Sequence, residues 1–325
     1  MNQQPTQMEK IIIVDWGTTS LRAALTDASG HIFAEIENER GIQFIKDKAF
    51  EPELVAAIDL WLKEHGPLPV IALGMITSKN GWIEVPYVAC PATSNDLAKG
   101  VIHRKLPNGS NLYFLPGITD KTRAPFPDVM RGEETQILGF GVTNASTIVL
   151  PGTHSKWSTV SAGRIQGFQT FVTGEIFALM SQHSFIAKAA GVDSSAENFD
   201  AFERGAKVAR DCEGPDTSFL TQLFSVRTGM LAGQLAAPDM ISYLSGLLIG
   251  SEFRQAKDGG LFKFGDTIGI VGNDGLNARY HRVADIFNLT VRDGGEQAAV
   301  VGALEIYQEV IANALNGTVA LSNQV

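Results

Sequence analysis

Hydrophobic and polar positions alternate unevenly along the chain. After a polar leader, Met1–Lys10, the β-branched run Ile11 to Val14 predicts a buried strand that ends at Asp15-Trp16-Gly17-Thr18-Thr19-Ser20. Leu21 to Leu25 and His31 to Ile36 predict two more strands, joined through the turn Thr26-Asp27-Ala28-Ser29-Gly30. Three hairpin-linked strands before any helix differ from the strand–helix–strand rhythm of a dinucleotide fold. Leu54, Ile58, Trp61 and Leu62 fall at helical spacing within Pro52–Glu64, and Val70–Leu73 is the next strand, followed by the loop Gly74 to Trp82. The stretch to Leu115 reads as loop and strand, Pro116–Pro127 as a proline-broken segment, and Gly132–Phe140 as a short helix with acidic residues in its first turn.

A composition shift near Thr143-Asn144-Ala145 sets an expected division into domains 1–143 and 144–325. The second half opens like the first. Thr147–Leu150 is a strand, Pro151-Gly152-Thr153-His154-Ser155-Lys156 a turn, Trp157–Ser161 a strand, and Ala162-Gly163-Arg164 a hairpin. The recurrence of strand, Gly-Thr turn, strand, turn, strand is a weak internal repeat of the kind left by two copies of one domain. Phe168–Phe262 is mainly helical in pattern, Thr267–Val271 is a strand before Gly272-Asn273-Asp274-Gly275, and an amphipathic helix, Glu296–Ala314, closes the chain.

Composition narrows the class. With 325 residues, 44% hydrophobic and 19% charged, the chain is expected to be a soluble α/β protein of two domains. Its 35 acidic and 26 basic residues give a formal charge of −9, which disfavours nucleic-acid binding and means that an anionic ligand must meet a local basic patch. Two cysteines, Cys90 and Cys212, offer neither a disulfide framework nor metal-ligand spacing and point to a reducing compartment. No apolar signal region or bilayer-length run is read in the sequence, so a cytoplasmic protein without a membrane partner is expected.

Four constellations carry candidate chemistry. In Asp15-x-Gly17-Thr18-Thr19-Ser20-x-Arg22, backbone N–H groups and hydroxyls can face phosphate oxygens, with Asp15 holding a hydrated Mg²⁺; an Asx-capped hairpin explains the string equally. Gly152-Thr153 repeats the turn in the second half, and the two together could hold a nucleotide's phosphates from both sides. Gly272 and Asn273 would border an adenosine, or simply form a strand-to-helix turn with an N-cap. In Arg131-Gly132-Glu133-Glu134, Glu133 is the first candidate for a carboxylate base, although acidic residues also favour any helix N-terminus. A P-loop, a Gly-x-Gly-x-x-Gly, a His-Glu-x-x-His and a Gly-x-Ser-x-Gly are all absent.

The run Ile13 to Ala23 resembles the first phosphate motif of the sugar kinase, heat-shock ATPase and actin superfamily, and the later motifs follow in that superfamily's order. Within it, Gly74-Met75-Ile76-Thr77-Ser78, Tyr87 to Ala92, Met130 to Gln136, Leu150 to Trp157 and Thr173-Gly174-Glu175 resemble the 2-dehydro-3-deoxygalactonokinase family. The resemblance implies two ribonuclease H-like domains with mixed β-sheets and flanking helices around a central interdomain cleft. It also implies transfer of the ATP γ-phosphoryl group to the 6-hydroxyl of 2-dehydro-3-deoxy-D-galactonate, a small sugar acid. By that reading Glu133 or Glu134 is catalytic, Asp15 serves the metal, and Gly17, Thr18, Thr19, Gly152, Thr153, Gly272 and Asn273 hold the nucleotide. Ser78, Lys79, Arg131, His154, Lys156 and Thr173 are candidates for the acceptor's carboxylate and hydroxyls. A kinase for another sugar acid or polyol, and a non-catalytic ATP-dependent regulatory module, are the alternative expectations. A homo-oligomer is compatible with the helical stretch from Ala178 to Leu248.

Overall fold

The computed structural model describes residues 9–144, 146–190, 197–211, 218–295 and 297–317. Cys212, Glu296 and the first residues of the polar leader lie outside the described residues. The chain divides into two compact units: Met1–Asn144 with Val160–Gly167 and Gln297–Val325, and Ala145–Thr159 with Phe168–Glu296.

The first unit begins with β1 (Lys10–Trp16), β2 (Leu21–Asp27), β3 (Ile32–Asn38), α1 (Phe50–His65) and β4 (Val70–Leu73). It continues with β5 (Val88–Ala89), α2 (Ser94–Lys99), β6 (Ile102–Lys105), β7 (Asn111–Phe114), β8 (Ile118–Asp120), β9 (Asp128–Met130) and α3 (Glu133–Phe140). Six strands form a mixed sheet in the order β3-β2-β1-β4-β7-β6. β1 lies antiparallel to β2 and parallel to β4, so its unbroken β-branched run is buried on both faces. Ile12 and Val14 meet Phe50, Leu54, Ile58 and Trp61 of α1 in one core. The expected loop after β4 opens as a single 3₁₀ turn, Gly74–Thr77.

Two short elements depart from the sequence reading. α2 is a six-residue helix within a stretch read as loop and strand; Thr93 and Asp96 form a reciprocal capping box that stabilises it. The proline-broken segment contains β8, which pairs with β5 and β9 in a three-stranded sheet.

The second unit contains β10 (Ser146–Leu150), most of β11 (Ser155–Ser161), the second half of β12 (Arg164–Phe171), α4 (Thr173–His183), α5 (Phe185–Ala190) and α6 (Phe199–Asp211). These are followed by α7 (Phe219–Leu231), α8 (Met240–Asp258), β13 (Thr267–Ile270), α9 (Asp274–Ile286) and β14 (Thr290–Asp293). Its sheet order, β12-β11-β10-β13-β14, repeats that of β3-β2-β1-β4-β7, with β10 parallel to β13 as β1 is to β4. The internal repeat is thus a repeat of topology, and both sheets have the ribonuclease H-like mixed order. Trp157 centres the core, with its ring 4.9 Å from Phe253 and 5.4 Å from Phe262.

The closing helix, α10 (Ala298–Leu315), groups with the first unit, although it lies within the range 144–325 expected for the second domain. It lies on α3, where a Cβ at Gly139 would collide with the Ala298 carbonyl and one at Gly302 with the Thr135 carbonyl. Its Tyr307 ring meets Tyr113 of β7 at 5.1 Å. Backbone-to-backbone packing through glycine, rather than position along the chain, fixes its partner. The expectation that no apolar run reaches bilayer length is corrected: α10 has the length and composition to cross a membrane, yet Gly302, Ala303, Leu304 and Ile306 are buried within the protein.

Candidate active site

In the first unit, Asp15 stands near the end of β1, opposite Arg22 on β2 and beside Leu73 on β4. The following turn closes through Gly17 N–H donating to the Ser20 carbonyl at 2.9 Å. Its carbonyls are held from behind, since Ile42, Gln43 and Gly41 N–H groups donate to Gly17, Thr18 and Thr19. Thr18 and Thr19 are thereby left exposed on a braced turn.

Gly74, at the start of the 3₁₀ turn, adopts φ +84 and lies against Asp15. Gly132, the residue before α3, adopts φ +108 and approaches Gly74 in turn. This succession places the first turn of α3 near Asp15. Burial pushes the Asp15 carboxyl up to about 6, the nearby Arg22 pulls it down, and Glu133 adds to the rise.

The two candidate bases occupy different surroundings. Glu134 is almost fully buried, and its two carboxylate oxygens accept from the Gly132 N–H at 2.9 and 2.7 Å. Burial, reinforced by Glu133, pushes it up to about 8. Glu133 is less buried, and its Oε2 accepts from the Arg131 N–H at 3.0 Å. The electrostatic coupling of Glu133 to both Asp15 and Glu134 makes the three carboxyls one acidic group.

Arg131 is buried in the same neighbourhood. Its Nη1 donates to Thr77 Oγ1 at 2.7 Å, its Nη2 donates to the Val85 carbonyl at 2.8 Å, and its guanidinium lies 4.3 Å from the centre of the Tyr87 ring. The Nε is buried and has no hydrogen-bond partner among the described residues. Ser78 is buried and donates to the Met75 carbonyl at 2.7 Å, whereas Lys79 is exposed.

The second unit holds a cavity of about 310 Å³. Gly152 and Thr153 of the second turn, Thr173 and Gly174 at the start of α4, and Asn273 and Leu276 at the start of α9 line it. Arg279 and Tyr280 complete one wall. Gly174 fits so closely beneath the turn that a Cβ there would strike the Gly152 carbonyl. Asn273 caps α9 by accepting from the Leu276 N–H at 3.0 Å, so it is an N-cap that also faces a cavity. Gly272 lies beside Asn277, whose Oδ1 would stand 2.7 Å from an added Cβ.

The remaining candidates fall into the second unit. His154 pairs with Glu175 at 2.7 Å, both half-exposed, and the buried Lys156 donates to the His154 carbonyl at 3.0 Å. Thr173, expected on the acceptor, shares the cavity with Gly152, Thr153 and Asn273. Ser78, Arg131, Glu133 and Glu134 are grouped in the first unit. Sequence reasoning missed Arg279, Tyr280 and the buried Glu252 of α8. A lone acidic residue inside the apolar run Leu244–Phe253 was the available signal for the last of these.

The donor set suits a nucleotide and a divalent ion. The cavity is near the lower end of the range for small-molecule sites, about 300–1,000 Å³, and combines apolar walls with a few polar groups. Among the described residues there is no group of three or more metal-ligating side chains.

A sequence model of the 2-keto-3-deoxy-galactonokinase family matches residues 15–306. An Escherichia coli (strain K12) protein named "2-dehydro-3-deoxygalactonokinase" is 30% identical over 305 residues, covering 94% of this chain and 99% of its own. A Rhizobium meliloti (strain 1021) protein named "Probable 2-dehydro-3-deoxygalactonokinase" is 34% identical over 299 residues, covering 90% and 94%. A crystal structure of "a putative 2-dehydro-3-deoxygalactonokinase protein" from Sinorhizobium meliloti superposes with a TM-score of 0.77 at 30% identity, covering 94% of this chain and 99% of that one. The match begins at Asp15 and spans both units, so the chain belongs to the 2-keto-3-deoxy-galactonokinase family.

Proposed function

We propose that this protein transfers the γ-phosphoryl group of ATP to the 6-hydroxyl of 2-dehydro-3-deoxy-D-galactonate, as a soluble cytoplasmic enzyme. The family match over residues 15–306 carries this reading, and the chemistry of each unit supports it. Phosphoryl transfer needs positioning and charge stabilisation more than covalent chemistry.

On the nucleotide side, Gly152 and Thr153 would hold phosphate, Gly272 and Asn273 would border the adenosine, and Thr173 would serve the same cavity. Gly17, Thr18 and Thr19 would supply the first phosphate turn. Asp15 would hold hydrated Mg²⁺, which when bound neutralises charge on the phosphates.

On the acceptor side, Glu133 is the better placed base. Glu134 is held by the Gly132 N–H and largely retains its proton at neutral pH, which suits it to fixing the start of α3. Glu133 is more accessible and couples to Asp15, so it would orient the acceptor hydroxyl and receive its proton. The buried Arg131, with its unpartnered Nε, would meet the acceptor carboxylate, assisted by Lys79; Ser78 would bind a hydroxyl. Lys156 would add positive charge beside the second phosphate turn, next to His154.

The test is acceptor-dependent ADP release with Mg-ATP and 2-dehydro-3-deoxygalactonate, 2-dehydro-3-deoxygluconate, galactonate, glycerol and xylulose. Preference for the first compound supports the proposal. Preference for another retains a kinase with a different acceptor, and nucleotide binding without turnover on any of them favours a regulatory module.

A further inference from the structure

Behind the cavity of the second unit lies a buried carboxyl, Glu252, to which the proposed reaction gives no role. Glu252 is 1% exposed in the middle of α8, surrounded by an aromatic core. Its Oε1 accepts from Trp157 Nε1 at 2.7 Å, and Tyr280 Oη donates to its two carboxylate oxygens at 3.0 and 2.8 Å. Thr173 and Ser155 also hydrogen-bond to it. Ser155 Oγ is in addition 2.8 Å from Tyr280 Oη.

Four side chains from three separate elements converge on this one carboxyl. Thr173 begins α4, Tyr280 lies on α9, and Ser155 and Trp157 belong to β11, which follows the Gly152-Thr153 turn directly. Thr173 and Tyr280 also line the cavity, whereas Trp157 does not. A hydrophobic residue of similar size would fill the space at position 252, but it would leave the indole N–H and the hydroxyls without an acceptor. A carboxyl can accept from several donors at once and so hold elements arriving from different directions.

We propose that Glu252 is a positioning residue for the nucleotide: by holding Thr173, Tyr280 and Ser155 together, it fixes two walls of the cavity relative to the second phosphate turn. This rests on the assignment of that cavity to ATP. Glu252 touches no ligand in this scheme, and its effect is exerted on nucleotide affinity through Thr173 and Tyr280.

The test separates nucleotide affinity from stability. Glu252→Gln, Thr173→Val and Tyr280→Phe are expected to raise the KM for ATP and the Kd of a fluorescent ATP analogue by about threefold to tenfold, with the acceptor KM unchanged. Pairing Glu252→Gln with Tyr280→Phe should give less than the product of the separate effects, because both remove one interaction. Trp157→Phe removes another donor to Glu252 but lines no part of the cavity, so it should lower Tm without altering the KM for ATP. If Glu252→Gln does not fold, Thr173→Val, Tyr280→Phe and their double variant decide the matter. Unchanged ATP affinity in the folded variants, or effects that multiply, overturns the proposal.

Leu276→Trp, which would fill the cavity, distinguishes failure of the inference from failure of the assignment beneath it. If that substitution abolishes ATP binding while the Glu252 set has no effect, Glu252 is merely structural. If it leaves ATP binding intact, the cavity is not the nucleotide site and both readings fall.

Discussion

Gly74 lies directly against Asp15: a Cβ at position 74 would stand 2.7 Å from Asp15 Oδ1. Its φ of +84 is strained for any other residue, so two independent constraints select glycine at this point. Gly74→Ala is expected to push the carboxylate aside and lower kcat/KM by about tenfold or more, while a folded protein persists by circular dichroism. Wild-type kinetics in this variant would remove Asp15 from the proposed site.

The raised titration of Asp15, at about 6, sets the direction of a second effect. Below that pH the carboxyl is protonated and cannot attract a hydrated cation; above it the carboxylate is available. Mn²⁺ binding, followed by electron paramagnetic resonance, should therefore weaken as pH falls through 6 and be lost in Asp15→Asn. Binding that persists in Asp15→Asn would assign the cation elsewhere.

Glu134 predicts a stability profile. Its carboxyl titrates at about 8 when folded, against 4.5 when free, so between these values the folded state retains a proton that the unfolded state has released. The unfolded chain then binds fewer protons, and this contribution to stability falls as pH rises from 4.5 to 8 and levels off above. Glu134→Gln should flatten that part of the Tm profile. Glu133→Gln should instead reduce kcat, by about a hundredfold or more for a general base, with little change in the Tm profile. Equal kcat losses in the two variants would undo the assignment of separate roles.

Arg131→Lys retains the charge but loses the planar group over Tyr87 and the fork between Thr77 and the Val85 carbonyl. The acceptor KM should rise by about tenfold or more, with the KM for ATP little changed. A rise confined to ATP would place Arg131 on the other substrate.

The α3–α10 contact is a matter of stability alone. Gly302→Ala would force a Cβ into the Thr135 carbonyl, and overpacking of this kind costs about 1–3 kcal/mol. Urea unfolding should show a correspondingly lower midpoint, and an unchanged midpoint would mean that the helices can separate without cost.

By itself the sequence determined the local elements and the order of motifs. The β-branched run Ile11 to Val14 had to be a buried strand, Leu54, Ile58 and Trp61 had to share a helix face, and Gly17 and Gly152 marked turns after strands. These signals arise from periodicity and backbone preference, which are properties of neighbouring residues. Tertiary structure decided what depends on residues far apart in the chain. It placed α10 on α3 through Gly302 and Gly139, gave Glu133 and Glu134 different burial although they are adjacent, and gathered Trp157, Thr173 and Tyr280 around Glu252. Close backbone approach, desolvation and shared hydrogen-bond acceptors exist only once the chain has folded, and they set which of the legible residues can bind, ionise or hold others in place.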